Sequence, residues 1–217
     1  MAIITISRGT KSGGRAVAEC LATRLRYPCV GREVLQQAAE TLGASEETVR
    51  HKLQQPPGPW DRMTRERTAY IVAVQAALAE RCVGGDLVYH GLAGQLLLRD
   101  LPGVLSVRLI APLPARVQAL LAGHAHTNHA AAERYIRKVD QQRHRWVRLM
   151  YGADVTDTTL YELTINLQSI TLITACVTIA ELARHAPYEV TADRRRQLAD
   201  FAAACRRRLD EIMATRR

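Results

Sequence analysis

The residues with the clearest chemical potential lie near the start of the chain. Gly9-Thr10-Lys11-Ser12-Gly13-Gly14-Arg15-Ala16 has the spacing Gly-x-x-x-x-Gly followed by a cation. Successive amides in such a loop turn inward to form an anion nest, and the helix after it aims its positive end at the same place. Gly13 and Gly14 permit left-handed backbone and close approach of a phosphate. Thr10, Lys11 and Ser12 add donors, and Arg15 takes the cationic place usually given to lysine. Ala16 has no hydroxyl to offer Mg²⁺, where Ser or Thr is usual. The implied chemistry is a grip on a phosphate chain. The competing reading is a glycine turn between any strand and helix.

Three further groups of residues could do chemistry. Arg134, Arg137, Lys138, Arg145 and Arg148 recur at near-helical spacing as a cationic stripe, with Asp140 and Arg143 beside it. Such a stripe either neutralises phosphate or is a solvated helix face. His124, His126 and His129 invite a metal reading, but only Glu133 stands nearby as a further ligand, so no metal site is assigned. The triplets Arg194–Arg196 and Arg206–Arg208 suit nucleic acid electrostatically, yet no aromatic platform interleaves them, which disfavours base stacking.

Composition sets the frame for these residues. The 217 residues are 47% hydrophobic and 24% charged, a mixture that buries a core and excludes a disordered or collagen-like chain. Thirty Lys+Arg against 21 Asp+Glu gives +9, and only Lys11, Lys52 and Lys138 are lysines. The excess is therefore guanidinium, suited to bidentate grips on anions. Cys20, Cys29, Cys82, Cys176 and Cys205 are scattered, which predicts free thiols in a reducing cytoplasm and no zinc site. The N-terminus lacks a signal-peptide pattern. The uncharged stretch 163–180 is too rich in Thr, Asn and Gln for a spanning helix. A soluble cytoplasmic protein is expected.

Strands and helices alternate along the chain. Ile3-Ile4-Thr5-Ile6, Leu87-Val88-Tyr89-His90, Leu105 to Ile110 and Leu160 to Asn166 read as buried strands. Helices are predicted from the glycine loop to about Arg26, over 32–42, from Ser45, over 60–82, 114–122, 128–151 and 170–184, and from Thr191 to the end. Met63, Arg67, Ile71, Val74 and Leu78 should share one broad face of the 60–82 helix, and Pro56-Pro57-Gly58-Pro59 breaks the chain before it. The last helix carries Leu198, Phe201, Ala202, Cys205, Leu209 and Ile212 on one side, for packing within the chain or for a homodimer. Trp60 and Trp146 read as core or interface residues. The pattern predicts one α/β domain with a mostly parallel sheet covered on both faces, a helical excursion at 32–83 and a basic arm at 123–151.

Ile4-Thr5-Ile6-Ser7-Arg8 with Ser12-Gly13-Gly14-Arg15 resembles the opening of the cytidylate kinase-like proteins, relatives of the P-loop nucleoside monophosphate kinases. Gly31-Arg32-Glu33-Val34-Leu35, Val88-Tyr89-His90-Gly91, the run Leu109 to Arg116, Lys138-Val139-Asp140-Gln141-Gln142-Arg143 and Tyr161 to Asn166 follow in the family's order, so the likeness spans 3–184. The resemblance implies a P-loop NTPase-type parallel sheet flanked by helices, with helical nucleoside-monophosphate-binding and lid insertions. It implies residues 1–184 as the kinase-like domain, 185–217 as a basic C-terminal helix, and transfer of the γ-phosphoryl of ATP, with Mg²⁺, to a nucleoside monophosphate. Residues Gly9 to Ala16 would hold the nucleotide; Arg15, Arg116, Asp140 and Arg143 would be catalytic; Arg32, Gly91 and Lys138 would bind the acceptor.

The chain departs from that pattern at Lys11, at Ala16 and above all at Leu92, which replaces the arginine of the family's Gly-Arg turn. If Leu92 faces the acceptor, CMP should be a poor or unselective substrate, and Leu92→Arg should improve it. A nucleotide-binding regulator without turnover is the rival expectation, and a basic nucleic-acid-binding protein the third. Neither a membrane nor, on balance, nucleic acid is an expected partner.

Overall fold

Five parallel strands form one sheet in the order β2-β3-β1-β4-β5. They are β1 (Ile3–Arg8), β2 (Cys29–Val30), β3 (Leu87–Tyr89), β4 (Val104–Ile110) and β5 (Leu163–Asn166). The computed structural model describes residues 1–49, 65–123 and 128–214. Its helices are α1 (Gly14–Leu25), α2 (Arg32–Leu42), α3 (Arg65–Cys82), α4 (Gly94–Leu97), α5 (Leu113–Ala122), α6 (His129–Tyr151), α7 (Leu172–Leu182) and α8 (Ala192–Ala214). The fold is a parallel sheet flanked by helices, as the sequence predicted.

The central strand β1 explains how the site arises. Its alternation sends Ile4 and Ile6 to one face, where they pack with Val17 and Leu21 of α1 and Ile179 of α7. Ile3 goes to the other face, among Leu78 of α3, Leu87 and Tyr89. That second face turns polar toward the strand ends. Thr5 pairs in register with Ser106, and Ser7 with Arg108. Side chains of period two thus bring a row of polar groups to the carboxyl edge of the sheet, where ligands bind in open α/β folds.

Helix starts follow their caps. Asn128 accepts from the Ala131 amide and Thr171 from the Thr174 amide, while Thr191 accepts from the Arg194 amide. Ser45 accepts from the Thr48 amide where a helical stretch opens at Glu46. Each supplies an orphan donor of the first turn with an acceptor.

Several expectations need correction. Helix α3 is not one-faced: Tyr70, Val72, Ala73, Val74, Ala76, Ala77, Leu78 and Ala79 are all buried. It lies between α2 and α8, which cover it from two sides. Cys20 and Cys176 are not free thiols but form a disulfide between α1 and α7; Cys29, Cys82 and Cys205 are free. The sequence missed β2 and α4, both too short for a periodic signal, and Thr158–Leu160 is a 3₁₀ turn ahead of β5.

The apolar side of α8 packs within the chain. Leu198, Ala202, Cys205 and Leu209 are buried in the same cluster as α3, so that face is already occupied. Trp146 is a core residue at 3% exposure. The break at 56–59, Met63, Trp60, His124 and His126 lie outside the described residues, as does the side chain of Arg67; His129 begins α6 and is exposed. Among the described residues no three potential metal ligands cluster, and no helix is long and apolar enough to cross a membrane.

Candidate active site

The glycine loop joins β1 to α1. Gly13 adopts φ 82°, which glycine tolerates freely. Lys11 adopts φ 61° without being glycine, a conformation that costs about 1–2 kcal/mol. Ser12 is buried at 4% exposure; its hydroxyl donates to the Gly9 carbonyl at 3.0 Å and so closes the loop on itself. A side chain on Gly14 would collide with that of Arg8, so this glycine lets Arg8 pass beneath the loop. Residues 9–16 line a cavity of about 660 Å³, with Arg8, Leu120, Tyr135 and Arg143 among its other walls.

Asp140 ties α6 to this loop. Its Oδ1 accepts from the Thr10 amide at 3.0 Å and from the Thr10 hydroxyl at 2.7 Å, and its Oδ2 accepts from Arg116. Arg116 Nε also donates to the Thr10 carbonyl at 2.8 Å, and Arg143 Nη1 donates to the Thr10 hydroxyl at 3.3 Å. Burial opposes ionisation of Asp140, but the Thr10 donors and Arg116 outweigh it and hold the carboxyl below its ordinary value. Three residues more than a hundred positions down the chain thus lock Thr10, the tertiary bonds satisfying groups that the loop leaves open.

A second cavity, of about 940 Å³, opens on the other side of the loop. Behind it lies a polar cluster. Arg108 Nη1 donates to the Tyr161 hydroxyl at 3.3 Å and to Ser7 Oγ at 3.5 Å, and its guanidinium carbon stands 5.5 Å from the Tyr161 ring centre. Gln95, 7% exposed, donates to the Tyr161 hydroxyl at 3.1 Å, and Tyr161 in turn donates to the Val155 carbonyl at 3.0 Å. Leu92, Val147 and Val155 supply apolar wall. His90 and Trp146 also line this cavity; His90 Nδ1 and Trp146 Nε1 are buried without a hydrogen-bond partner among the described residues. Burial, then the nearby Arg8, lowers the His90 pKa and favours a neutral ring.

The two cavities share Arg8, Gly9, Arg15, Tyr135 and Arg143. Arg8 donates to the His90 carbonyl. Burial first and then repulsion from Arg143 pulls its pKa down, while burial does the same to Arg143. Two desolvated guanidiniums facing one boundary make a place where an anion is favoured.

Of the residues singled out from sequence, Gly9 to Ala16 line the loop cavity, while Arg116, Asp140, Gly91 and Arg32 line the larger one. Arg15 points outward: its side chain is 75% exposed and pairs with Glu19 at 2.7 Å. Arg32 is held at the rim by Glu46 at 2.6 Å. Lys138 is exposed and lines neither cavity, and the stripe of Arg134, Arg137, Arg145 and Arg148 also faces solvent. From α6 it is Asp140 and Arg143, not the stripe, that reach the loop. Leu92 both lines the larger cavity and packs on the core.

Sequence reasoning assigned no role to Arg8, Arg108, Gln95 or Tyr161. The one visible signal was Arg108, a charge inside the apolar strand Val104-Leu105-Ser106-Val107-Arg108-Leu109-Ile110.

The sequence profile of the cytidylate kinase-like family matches residues 3–169. No curated protein matches the sequence. Among solved structures, an uncharacterized protein from Eubacterium ventriosum is 18% identical, with a TM-score of 0.64 over 83% of this chain and 97% of its own. Shikimate kinase from Bacteroides thetaiotaomicron is 10% identical, with a TM-score of 0.51 over 85% of this chain and 99% of its own. These likenesses carry the fold, and the profile match over most of the chain carries more: this protein is a member of the cytidylate kinase-like family.

Proposed function

We propose that the protein transfers the γ-phosphoryl group of ATP to a nucleoside monophosphate, with CMP as the family's default acceptor. The observation that carries this reading is the meeting of two cavities at one boundary that holds the half-buried Arg8 and Arg143. In-line phosphoryl transfer needs a donor on one side, an acceptor on the other, and positive charge between them. The loop cavity suits the donor phosphates, because a glycine loop leading into a helix N-terminus favours an anion. The larger cavity suits the acceptor.

In this reading Arg8 and Arg143 flank the phosphoryl group in transit and neutralise the charge that spreads over its oxygens. Arg116 and Asp140 act through Thr10: they fix the loop and hold α6, the lid, against it. Arg15 leaves Glu19 to reach the donor phosphates, a rotation open to an exposed side chain. Residues 1–184 form the catalytic domain, with α2 and α3 in the acceptor-side insertion.

Family membership implies ATP and Mg²⁺ in general. The residues fit a directly held ion poorly: position 16 is Ala, the Ser12 hydroxyl is bonded to Gly9, and both Asp140 oxygens are taken. The same Ala16, together with the outward Arg15, favours the second reading, a nucleotide-binding regulator. A phosphoryl-transfer assay with ATP and Mg²⁺ across CMP, UMP, AMP and GMP separates the two. Turnover on any of them supports the kinase; ATP binding without turnover on all four supports the regulator.

A further inference from the structure

Six guanidiniums line the larger cavity: Arg8, Arg15, Arg32, Arg108, Arg116 and Arg143. Three already have carboxylates of their own, in the pairs Arg15–Glu19, Arg32–Glu46 and Arg116–Asp140. Arg8 and Arg143 belong to both cavities and so to the boundary between them. Arg108 is different. It lines only the larger cavity, and among the described residues it makes no ion pair. Its partners, Ser7, the Tyr161 hydroxyl and the Tyr161 ring, are all neutral.

We propose that Arg108 receives the acceptor's anionic group, a phosphomonoester, and so determines which molecules the cavity accepts. The proposal deepens the reading of this cavity as the acceptor site and rests on it. Both hydrogen bonds that Arg108 makes among the described residues leave from Nη1. The rest of a five-donor fork has no protein partner there, and a phosphate oxygen pair matches its geometry. Tyr161 and Ser7 hold the guanidinium in place, and Gln95 and Val155 hold Tyr161. Leu92, on the same cavity, contributes no charge. The anion's counter-charge therefore comes from the middle of β4 rather than from the turn after β3.

The test is calorimetric titration of the whole chain, saturated with a non-hydrolysable ATP analogue so that the loop is filled. CMP, cytidine and inorganic phosphate are the probes. Wild type is expected to bind CMP on the order of 10- to 100-fold more tightly than cytidine. In Arg108→Leu that preference should fall below about threefold while the affinity for the ATP analogue stays unchanged. Leu92→Arg in the Arg108→Leu background should restore part of it, which repair of a merely structural defect from position 92 would not do. Arg108→Lys should give an intermediate preference, and it decides the matter if the leucine variant does not fold. An undiminished preference in the Arg108 variants overturns the proposal, as does equal wild-type affinity for CMP and cytidine. If no monophosphate binds but inorganic phosphate does, and its binding falls in the variants, the nucleotide reading fails while Arg108 stands. If inorganic phosphate does not bind wild type either, Arg108 is not an anion receptor.

Discussion

The two cavities are built by opposite means. The smaller one is lined mostly by one run of eight consecutive residues, Gly9 to Ala16, with Arg8, Leu120, Tyr135 and Arg143 among its other walls. The larger one gathers side chains from Ser7 to Thr156, and its polar lining joins β1, α4, β4 and the segment before β5. A site made of consecutive amides is rigid in composition but tolerant of side chains. A site made of converging side chains can change its ligand by one substitution. Position 11 and position 108 illustrate the contrast: a lysine is carried in the loop at a conformational cost, whereas Arg108 is one of six arginines that converge on the larger cavity from separate elements.

The sharpest way to break the comparison is at the boundary the cavities share. Arg143→Ala should lower the turnover number for phosphoryl transfer on the order of a thousandfold, with ATP affinity nearly unchanged. Steady-state kinetics beside ATP-analogue titration measure the split, and an equal loss in both would place Arg143 in ground-state binding. Next in size is Arg15→Ala, where loss of a charge-assisted contact should weaken ATP binding on the order of 10- to 100-fold. Wild-type affinity in that variant would leave the loop's grip to its amides alone and make the contrast between the cavities complete.

Smaller effects test how the loop is braced. Asp140→Asn removes the counter-charge of Arg116 in a partly buried setting and should cost about 1–2 kcal/mol of stability, read by denaturant melts. The Asp140 carboxyl is more acidic folded than unfolded, so its contribution is complete above the unfolded value. It is lost as the pH falls below the ordinary carboxyl value, about 3.9, and on through the lower folded one. Wild type should therefore destabilise more steeply than Asp140→Asn as the pH falls below about 4, and parallel curves would remove the clamp from the account. The smallest change is Lys11→Gly. Relief of the left-handed strain should raise stability by up to about 1 kcal/mol, offset by the looser unfolded chain. ATP affinity should fall little if the backbone does the holding, and a large fall would show that the Lys11 ammonium matters.

Apolar runs and cap residues determined four of the five strands, most of the longer helices and the loop, because each rests on contacts a few residues apart. Gly13-Gly14-Arg15 was legible for the same reason: an anion nest is a local backbone shape. The tertiary structure alone decided that α3 is covered from two sides by α2 and α8, that Cys20 meets Cys176 across 156 residues, and that the cationic stripe of α6 turns away while Asp140 and Arg143 turn in. It also decided that Arg108 lines a cavity and bonds the neutral Ser7 and Tyr161, with no ion pair among the described residues. Charge, burial and partner at such positions depend on which distant segments arrive there, and the packing of the sheet, not the residue's neighbours in the chain, brings them.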